Sequence, residues 1–333
     1  MINVAVIGYG YWGPRVARNF HSSGQTKLSA ICDERPESLA RARADFPDVT
    51  LTGDAHDILS SKSIDAVAIV TPVWTHFEFA KLALENGKHV WVEKPFTLCA
   101  DQAVELIELA ERKHLTIMVD HTFLFTGAVK KIGELIDDQT LGNLYYYDST
   151  RVNLGLFQHD VNVVWDLAPH DISIMDFLIR EEPEAVVATG QSHLNDLEDM
   201  AYITVFYPHN LIAHVSVNWL SPVKVRTTLV GGEKKMLVWN DLEADEKIRV
   251  YDKGVDVKSN SGLYDLLVSY RSGDMWAPKV DQTEALKSEA RYFAECIANG
   301  IKPINDGIAG HRVVRLLEAA TISLKNRGKI VSM

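Results

Sequence analysis

Three short stretches carry the residues with which this chain could do chemistry. WVEKPF (91–96) sets Glu93, Lys94 and Pro95 directly behind a run of strand-forming residues. Proline has no N–H for a sheet ladder, so the strand must stop there, and Lys94 is held at its mouth. HDVNVVWDLAPHD (159–171) places Asp166 and His170 four residues apart, on one face if the stretch is helical. An imidazole titrating near neutral pH suits proton transfer, and a carboxylate beside it fixes tautomer and orientation. GYGYWG (8–13) brings Gly8, Gly10 and Gly13 together with Tyr11 and Trp12, a spacing at which backbone can approach a pyrophosphate.

Each stretch also has a plainer reading. A glycine-rich turn can merely join a strand to a helix. His170 could close a helix end in the core, and Asp166 could be a favourable charge in a first helical turn. His159, Asp160, His170 and Asp171 could be metal ligands, although no cysteine cluster or H-x-x-x-H spacing accompanies them. Pro169 either starts the helix or kinks it.

The elements around these stretches decide between the readings. NVAVIG (3–8), KLSAIC (27–32), DAVAIVTP (65–72), KHVWVEKP (88–95) and HLTIMVD (114–120) are short apolar runs separated by helical patterns. Such alternation implies a parallel sheet with right-handed crossovers. GPRVARNF has Pro14 in a first helical turn, and HFEFAKLALENG (76–87) ends on Gly87 as a left-handed cap. GYGYWG therefore lies between strand and helix, with Asp33 at the end of the second strand, about 20 residues beyond Gly13. In that context Gly8 allows the tight turn, Gly10 the approach of phosphate, and Gly13 close packing of helix on strand, with the helix N-terminus facing the phosphates. Asp33 would accept from ribose hydroxyls and repel a 2′-phosphate, which favours NAD over NADP; Arg35 keeps NADP open. Thr71, Pro72 and His76 in TPVWTH (71–76) sit at another strand's carboxyl end and are further cofactor candidates, or else turn and capping residues.

From about residue 122 the texture changes. A helix over 127–138 precedes LGNLYYYDSTRV, AVVATGQSH, MAYITVFY and LIAHVSVNWL, which read as an antiparallel sheet. Ala213, Val215, Val217 and Trp219 alternate with His214, Ser216 and Asn218, so one face is core and the other polar. Helical patterns return at 282–299 and 308–326. The expected division is a dinucleotide-binding domain over 1–121 and a second domain over 122–333 that takes substrate and oligomerises.

Composition bounds the partners. With 333 residues and a formal net charge of −11, mixed along the chain, neither nucleic acid nor an anionic membrane is the expected partner. No apolar run approaches the roughly 20 residues of a membrane span. MINVAVIG lacks a signal-peptide pattern, and Cys32, Cys99 and Cys296 form no close pair, which points to a reduced, cytoplasmic setting.

The succession GYGYWG, CDE, TPVWTH, VEKPF and WDLAPHDISIMDFL, in this order, resembles the Gfo/Idh/MocA family of NAD(P)-dependent oxidoreductases over essentially the whole chain. The resemblance implies an α/β Rossmann domain with a doubly wound parallel sheet, then an α+β domain. In the latter an open antiparallel sheet carries helices on one face, and its exposed face makes a dimer or tetramer. It implies that Lys94 lies between substrate and nicotinamide, that Pro95 follows a cis peptide bond, and that Glu93 is near the nicotinamide side of the pocket. It also implies that Asp166 and His170 match a D-x-G-x-H motif whose histidine is the acid–base. Ala168, Pro169 and Ser173 depart from that motif. No metal is implied. A lysine beside a carbinol would stabilise the developing alkoxide, and an oxidised nicotinamide next to it should lower its pKa.

Members with similar GYGYWG and WDLAPHD variants suggest a nucleotide-linked amino sugar or uronic acid reacting at C3. A free sugar, polyol or inositol, or a non-catalytic NAD-binding regulator, are the alternatives. Arg151 could pair with a diphosphate or carboxylate, or be a surface charge on an edge strand. His121, with Phe123 and Phe125 in VDHTFLF, follows the last strand of the first half and could line the pocket, or belong to the core.

Overall fold

The computed structural model describes residues 1–155, 161–258 and 267–333, so His159 and Asp160 of the metal reading lie outside the described residues. The apolar runs of the first half become six strands: β1 (Ile2–Ile7), β2 (Thr26–Cys32), β3 (Thr50–Thr52), β4 (Ala66–Ile69), β5 (His89–Glu93) and β6 (Ile117–Asp120). They lie in the order β3-β2-β1-β4-β5-β6, every pairing parallel. The order reverses between β1 and β4, and the crevice outside the carboxyl ends of such strands is where open sheets take ligands. Parallel pairing needs crossovers, supplied by α1 (Gly13–Ser22), α2 (Pro36–Asp45), α3 (Ala55–Leu59), α4 (His76–Glu85) and α5 (Ala100–Lys113). Val4, Ala5, Val6, Ala66, Val67 and Ala68 are fully buried, as unbroken apolar strands under helices on both faces should be.

Pro14 does sit in the first turn of α1, and Gly87 follows α4 at φ +74°. One strand is shorter than HLTIMVD suggests. His114 adopts the left-handed conformation (φ 56°) that ends α5, so β6 begins only at Ile117.

The second half opens with α6 (Gly127–Asp137), β7 (Leu144–Leu154) and α7 (Val163–Ile179). Then come β8 (Ala185–Gln191), β9 (Met200–Phe206), β10 (Ile212–Asn218), β11 (Leu220–Gly232), β12 (Met236–Asn240) and β13 (Ile248–Tyr251). β14 (Gly254–Lys258) pairs with β15 (Leu267–Arg271), and β16 (Met275–Trp276) rejoins the main sheet. The chain ends with α8 (Ala285–Asn299), α9 (Gly307–Lys325) and β17 (Val331–Ser332). The nine-stranded order is β16-β13-β12-β11-β7-β10-β9-β8-β17. It is mostly antiparallel, with one exception: β7 and β10 are parallel neighbours, because α7, β8 and β9 intervene and carry the chain back to the same end. Ala213, Val215, Val217 and Trp219 are buried while His214 is exposed, as their alternation predicts.

The change of texture near 121 predicts a single boundary, whereas contacts within the chain place the division differently. Met1–Thr126 and Thr283–Glu318 form one compact unit; Gly127–Gln282 and Ala319–Met333 form the other. The chain returns to the first unit because α8 completes its core: Phe293 is fully buried with its ring 6.1 Å from that of Phe20 in α1.

Candidate functional site

In the first unit the glycine turn is built as its spacing implies. Gly8 has φ +101°, and a Cβ there would lie 2.3 Å from the Val70 carbonyl oxygen. A Cβ on Gly13 would lie 2.2 Å from the Gly8 carbonyl oxygen, so any side chain would push α1 off β1. At Gly10 the nearest atom to such a Cβ is the tip of Arg35 at 3.4 Å, which leaves the turn open to an approaching group. Tyr11 is exposed, with the Arg15 guanidinium 4.7 Å from its ring centre, and Trp12 occupies the position before α1 without capping it through its side chain.

Asp33 is buried and fixed from two sides. Its carboxylate accepts from the Tyr9 amide at 2.7 Å and from the Arg35 amide, Nε and Nη2 at 3.0–3.1 Å. Burial alone would raise its pKa, but the Arg35 and Tyr9 bonds outweigh it and hold the carboxyl below its ordinary value. Gly8, Gly10, Tyr11, Asp33, Arg35, Thr71 and Pro72 line one cavity of about 770 Å³. An open glycine turn, a helix N-terminus and an anchored carboxylate in one cavity fit the adenosine and diphosphate of a dinucleotide.

His76 does something other than line that cavity. It is 1% exposed, with Nδ1 2.9 Å from the Pro95 carbonyl oxygen and Nε2 2.9 Å from that of Thr71. It ties the TPVWTH loop to the segment holding Lys94, and burial pushes its pKa down. The Lys94–Pro95 bond is cis, in agreement with the resemblance. His121 is 1% exposed, and neither ring nitrogen has a hydrogen-bond partner among the described residues. Burial, then the nearby Lys94 charge, push its pKa down to about 3, so it is a neutral donor and acceptor. Phe125 is core, its ring 5.4 Å from that of Tyr292.

The acids next to Lys94 carry little signal in the sequence. Glu93 accepts from the Lys94 amide at 2.9 Å and stands opposite Asp120 across β5 and β6. Asp120 accepts from Trp12 Nε1 at 3.0 Å and contacts Glu289 of α8. Glu93 is among the sequence candidates and Asp120 is not; an acid ending the strand next to that of Glu93 is the signal that could have flagged Asp120. Glu289 has no such signal, being brought there from far along the chain.

The second unit holds the other constellation on α7. Asn162 caps the helix by accepting from the Trp165 amide at 3.2 Å, so the helix starts at Val163 and Pro169 lies inside it. Pro169 thus neither begins the helix nor ends it. Asp166 and His170 follow on successive turns of one face, and Asp166 accepts from Trp219 Nε1 at 3.1 Å. Asp171 points to a different neighbour: it is paired with Arg151 at 2.5 and 3.3 Å and accepts from Ser149 at 2.5 Å. Arg151 is 3% exposed on β7, a central strand, which rules out a surface charge on an edge. Its charge is matched by Asp171 rather than presented as an open fork. Lys94 belongs to the first unit, Asp166 and His170 to the second. Among the described residues, no group of three or more His, Cys, Asp or Glu is arranged to hold a metal ion, and no helix is long and apolar enough to cross a membrane.

Residues 2–121 match the model of the Gfo/Idh/MocA oxidoreductases with an NAD-binding Rossmann fold, and residues 129–238 match that family's C-terminal domain. The chain belongs to the Gfo/Idh/MocA family. It is an oxidoreductase with an NAD-binding Rossmann domain. Among its relatives is UDP-N-acetylglucosamine 3-dehydrogenase of Acidithiobacillus ferrooxidans, 28% identical over 327 residues, with 94% of each chain covered. The solved structure of that enzyme superposes with a TM-score of 0.84 at 24% identity, covering 98% of each chain. scyllo-Inositol 2-dehydrogenase (NAD(+)) of Bacillus subtilis is 25% identical over 343 residues, covering 98% of this chain and 94% of its own. A levoglucosan dehydrogenase in complex with NADH and levoglucosan gives a TM-score of 0.84 at 20% identity, covering 99% of each chain.

Proposed function

We propose that this family member transfers a hydride between NAD and a secondary hydroxyl or ketone of a sugar, with a nucleotide-linked amino sugar or uronic acid reacting at C3 as the substrate. The observation that carries the substrate reading is the likeness to a UDP-N-acetylglucosamine 3-dehydrogenase along 94% of both chains. Bound NAD supplies the hydride acceptor. Gly8, Gly10, Gly13, Asp33, Thr71 and Pro72 hold the dinucleotide, with Glu93 and His121 at the nicotinamide side. His170 takes the hydroxyl proton, Asp166 on the preceding turn holds the imidazole, and Lys94 stabilises the charge that builds on oxygen. Arg151 acts through Asp171 to hold α7 on β7. A free sugar or inositol is the second reading, favoured by the inositol and levoglucosan dehydrogenases among the relatives and neighbours. A homodimer or homotetramer built on the sheet face of the second unit is the expected assembly.

The test is turnover followed by reduced-nicotinamide absorbance across sugar nucleotides, free sugars and inositols. Turnover confined to sugar nucleotides supports the first reading, and turnover confined to free polyols the second. NAD binding without any turnover would return the protein to a regulatory role. Lys94→Ala and His170→Ala should each abolish turnover while NAD still binds. Full activity in either variant would remove that residue from the mechanism.

A further inference from the structure

At the carboxyl ends of β5 and β6 three acids meet, two of them closed to water and Glu93 partly exposed. Asp120 is 2% exposed and Glu289 is 0% exposed, with Glu93 opposite Asp120 in the strand register. Asp120 lies within hydrogen-bonding reach of the side chains of both glutamates. Ionised carboxylates only accept, so each acid-to-acid contact needs a proton. The remaining partners are neutral. Trp12 Nε1 donates to Asp120 at 3.0 Å, Asn305 Nδ2 to Glu289 at 2.9 Å, and the Lys94 amide to Glu93 at 2.9 Å. The Thr122 hydroxyl, with one hydrogen, bridges Asp120 and Glu289. Among the described residues, the Lys94 charge acts on Glu93, and the adjacent His121 is neutral. Burial first, and neighbouring acids second, raise Glu93 and Glu289 well above the usual carboxyl range.

We propose that Glu93, Asp120 and Glu289 form a proton-sharing chain, carrying two protons and one negative charge, that couples the redox state of bound NAD to proton release. The indole of Trp12, on the glycine turn, ties the chain to the cofactor site. An oxidised nicotinamide is cationic and a reduced one is neutral. A cation held over these strand ends favours the ionised carboxyls, so a proton leaves the chain for solvent. A neutral ring at the same place leaves the protons where they are. Asp120 and Glu289 are then positioning residues that act on the cofactor end through Glu93. This inference rests on the NAD site and on no particular sugar, so it is tested without substrate and can fail independently of the substrate reading.

Two measurements test it. In the cofactor-free protein near pH 7, infrared spectroscopy should show the C=O stretch of buried protonated carboxyls, and Glu289→Gln should remove part of it. The side-chain amide introduced by that substitution would still donate to Asp120 as the acid does, so the chain's shape survives; Asp120→Asn is the second variant, should the first fail to fold. In weak buffer with a pH indicator, NAD⁺ binding should release more protons per site than NADH binding. Glu289→Gln should cut that difference at least about twofold while NADH affinity changes by less than about threefold. A wild-type spectrum without protonated carboxyls, or equal proton release with NAD⁺ and NADH, would overturn the proposal. So would a Glu289→Gln variant whose difference matches the wild type.

Discussion

Asp171 and Glu289 are both acids with almost no exposed surface, one in each unit, and their surroundings differ in kind. Asp171 faces the Arg151 guanidinium and the Ser149 hydroxyl. Glu289 faces Asn305, Thr122 and another acid, Asp120. The first solves burial by opposition of charge, the second by keeping a proton. An ion pair is costly to break from either side, since the survivor is left charged in a poor solvent. A proton-sharing contact can be imitated by an amide, because what it needs is a donor rather than a charge. The clamp on α7 should therefore be intolerant of isosteric change, and the chain at β5 and β6 tolerant of it.

The largest effect tests the clamp. Asp171→Ala should destabilise the protein by about 3–5 kcal/mol by leaving Arg151 buried without its carboxylate. The double variant Arg151→Met, Asp171→Leu should recover most of that loss. Urea unfolding of the three proteins measures both. A loss below about 1 kcal/mol in Asp171→Ala would mean that Arg151 is not balanced by Asp171, and the contrast with Glu289 would disappear.

A smaller effect tests the other side. Glu289→Ala removes the partner of Asn305, Thr122 and Asp120 together and should cost about 1–3 kcal/mol, whereas Glu289→Gln should stay within about 1 kcal/mol of wild type. The pH dependence has a definite sign. The folded protein holds the Glu289 proton more tightly than the unfolded chain, so this stabilisation is complete below the ordinary carboxyl value. It is lost as pH rises from there through the raised folded value. Glu289→Gln should flatten that decline, with a slope change of at most about 1.4 kcal/mol per pH unit. An unchanged slope would show that Glu289 is already ionised when folded.

The same contrast explains what the sequence discloses and what it hides. Gly8, Gly10 and Gly13 act through local backbone geometry, so their spacing between a strand and a helix, with Asp33 ending the next strand, points to a dinucleotide turn. Ala213, Val215 and Val217 announce a buried sheet face because strand periodicity is local too. Lys94 and His170 stand out because their residue types are conspicuous where they occur. Glu289 and Asn305 cannot be read this way, since their meaning comes from a return of the chain to the first unit after residue 282. Arg151 is visible as a charge in a strand, but its partner Asp171 is identified only when α7 is laid against β7. The Pro169 ambiguity also dissolves in three dimensions: the Asn162 cap fixes the helix start, and the proline is carried inside it.

The smallest effect concerns an ion pair intermediate between the two regions. Arg35 donates to Asp33 through Nε and Nη2, yet half of its side chain is exposed while that of Asp33 is 5% exposed. Water therefore screens the arginine end, and the Tyr9 and Arg35 backbone amides still hold the carboxylate when the side chain is gone. Arg35→Ala should cost no more than about 1 kcal/mol, far below Asp171→Ala although both break an Asp–Arg pair. Because Asp33 has a lowered pKa in the folded state, its stabilisation is present above the ordinary carboxyl value and is lost as pH falls through the lowered one. Arg35→Ala should move that acid limb upward in pH, since the side-chain bonds that depress the pKa are removed. With Asp33 rather than Arg35 as the proposed partner of the ribose hydroxyls, NAD affinity should change by less than about threefold, whereas any residual NADP binding should weaken more. Equilibrium unfolding between neutral and acid pH, with parallel NAD and NADP titrations, reads all three. A loss as large as that of Asp171→Ala would mean that depth of burial does not set what an Asp–Arg pair is worth in this protein.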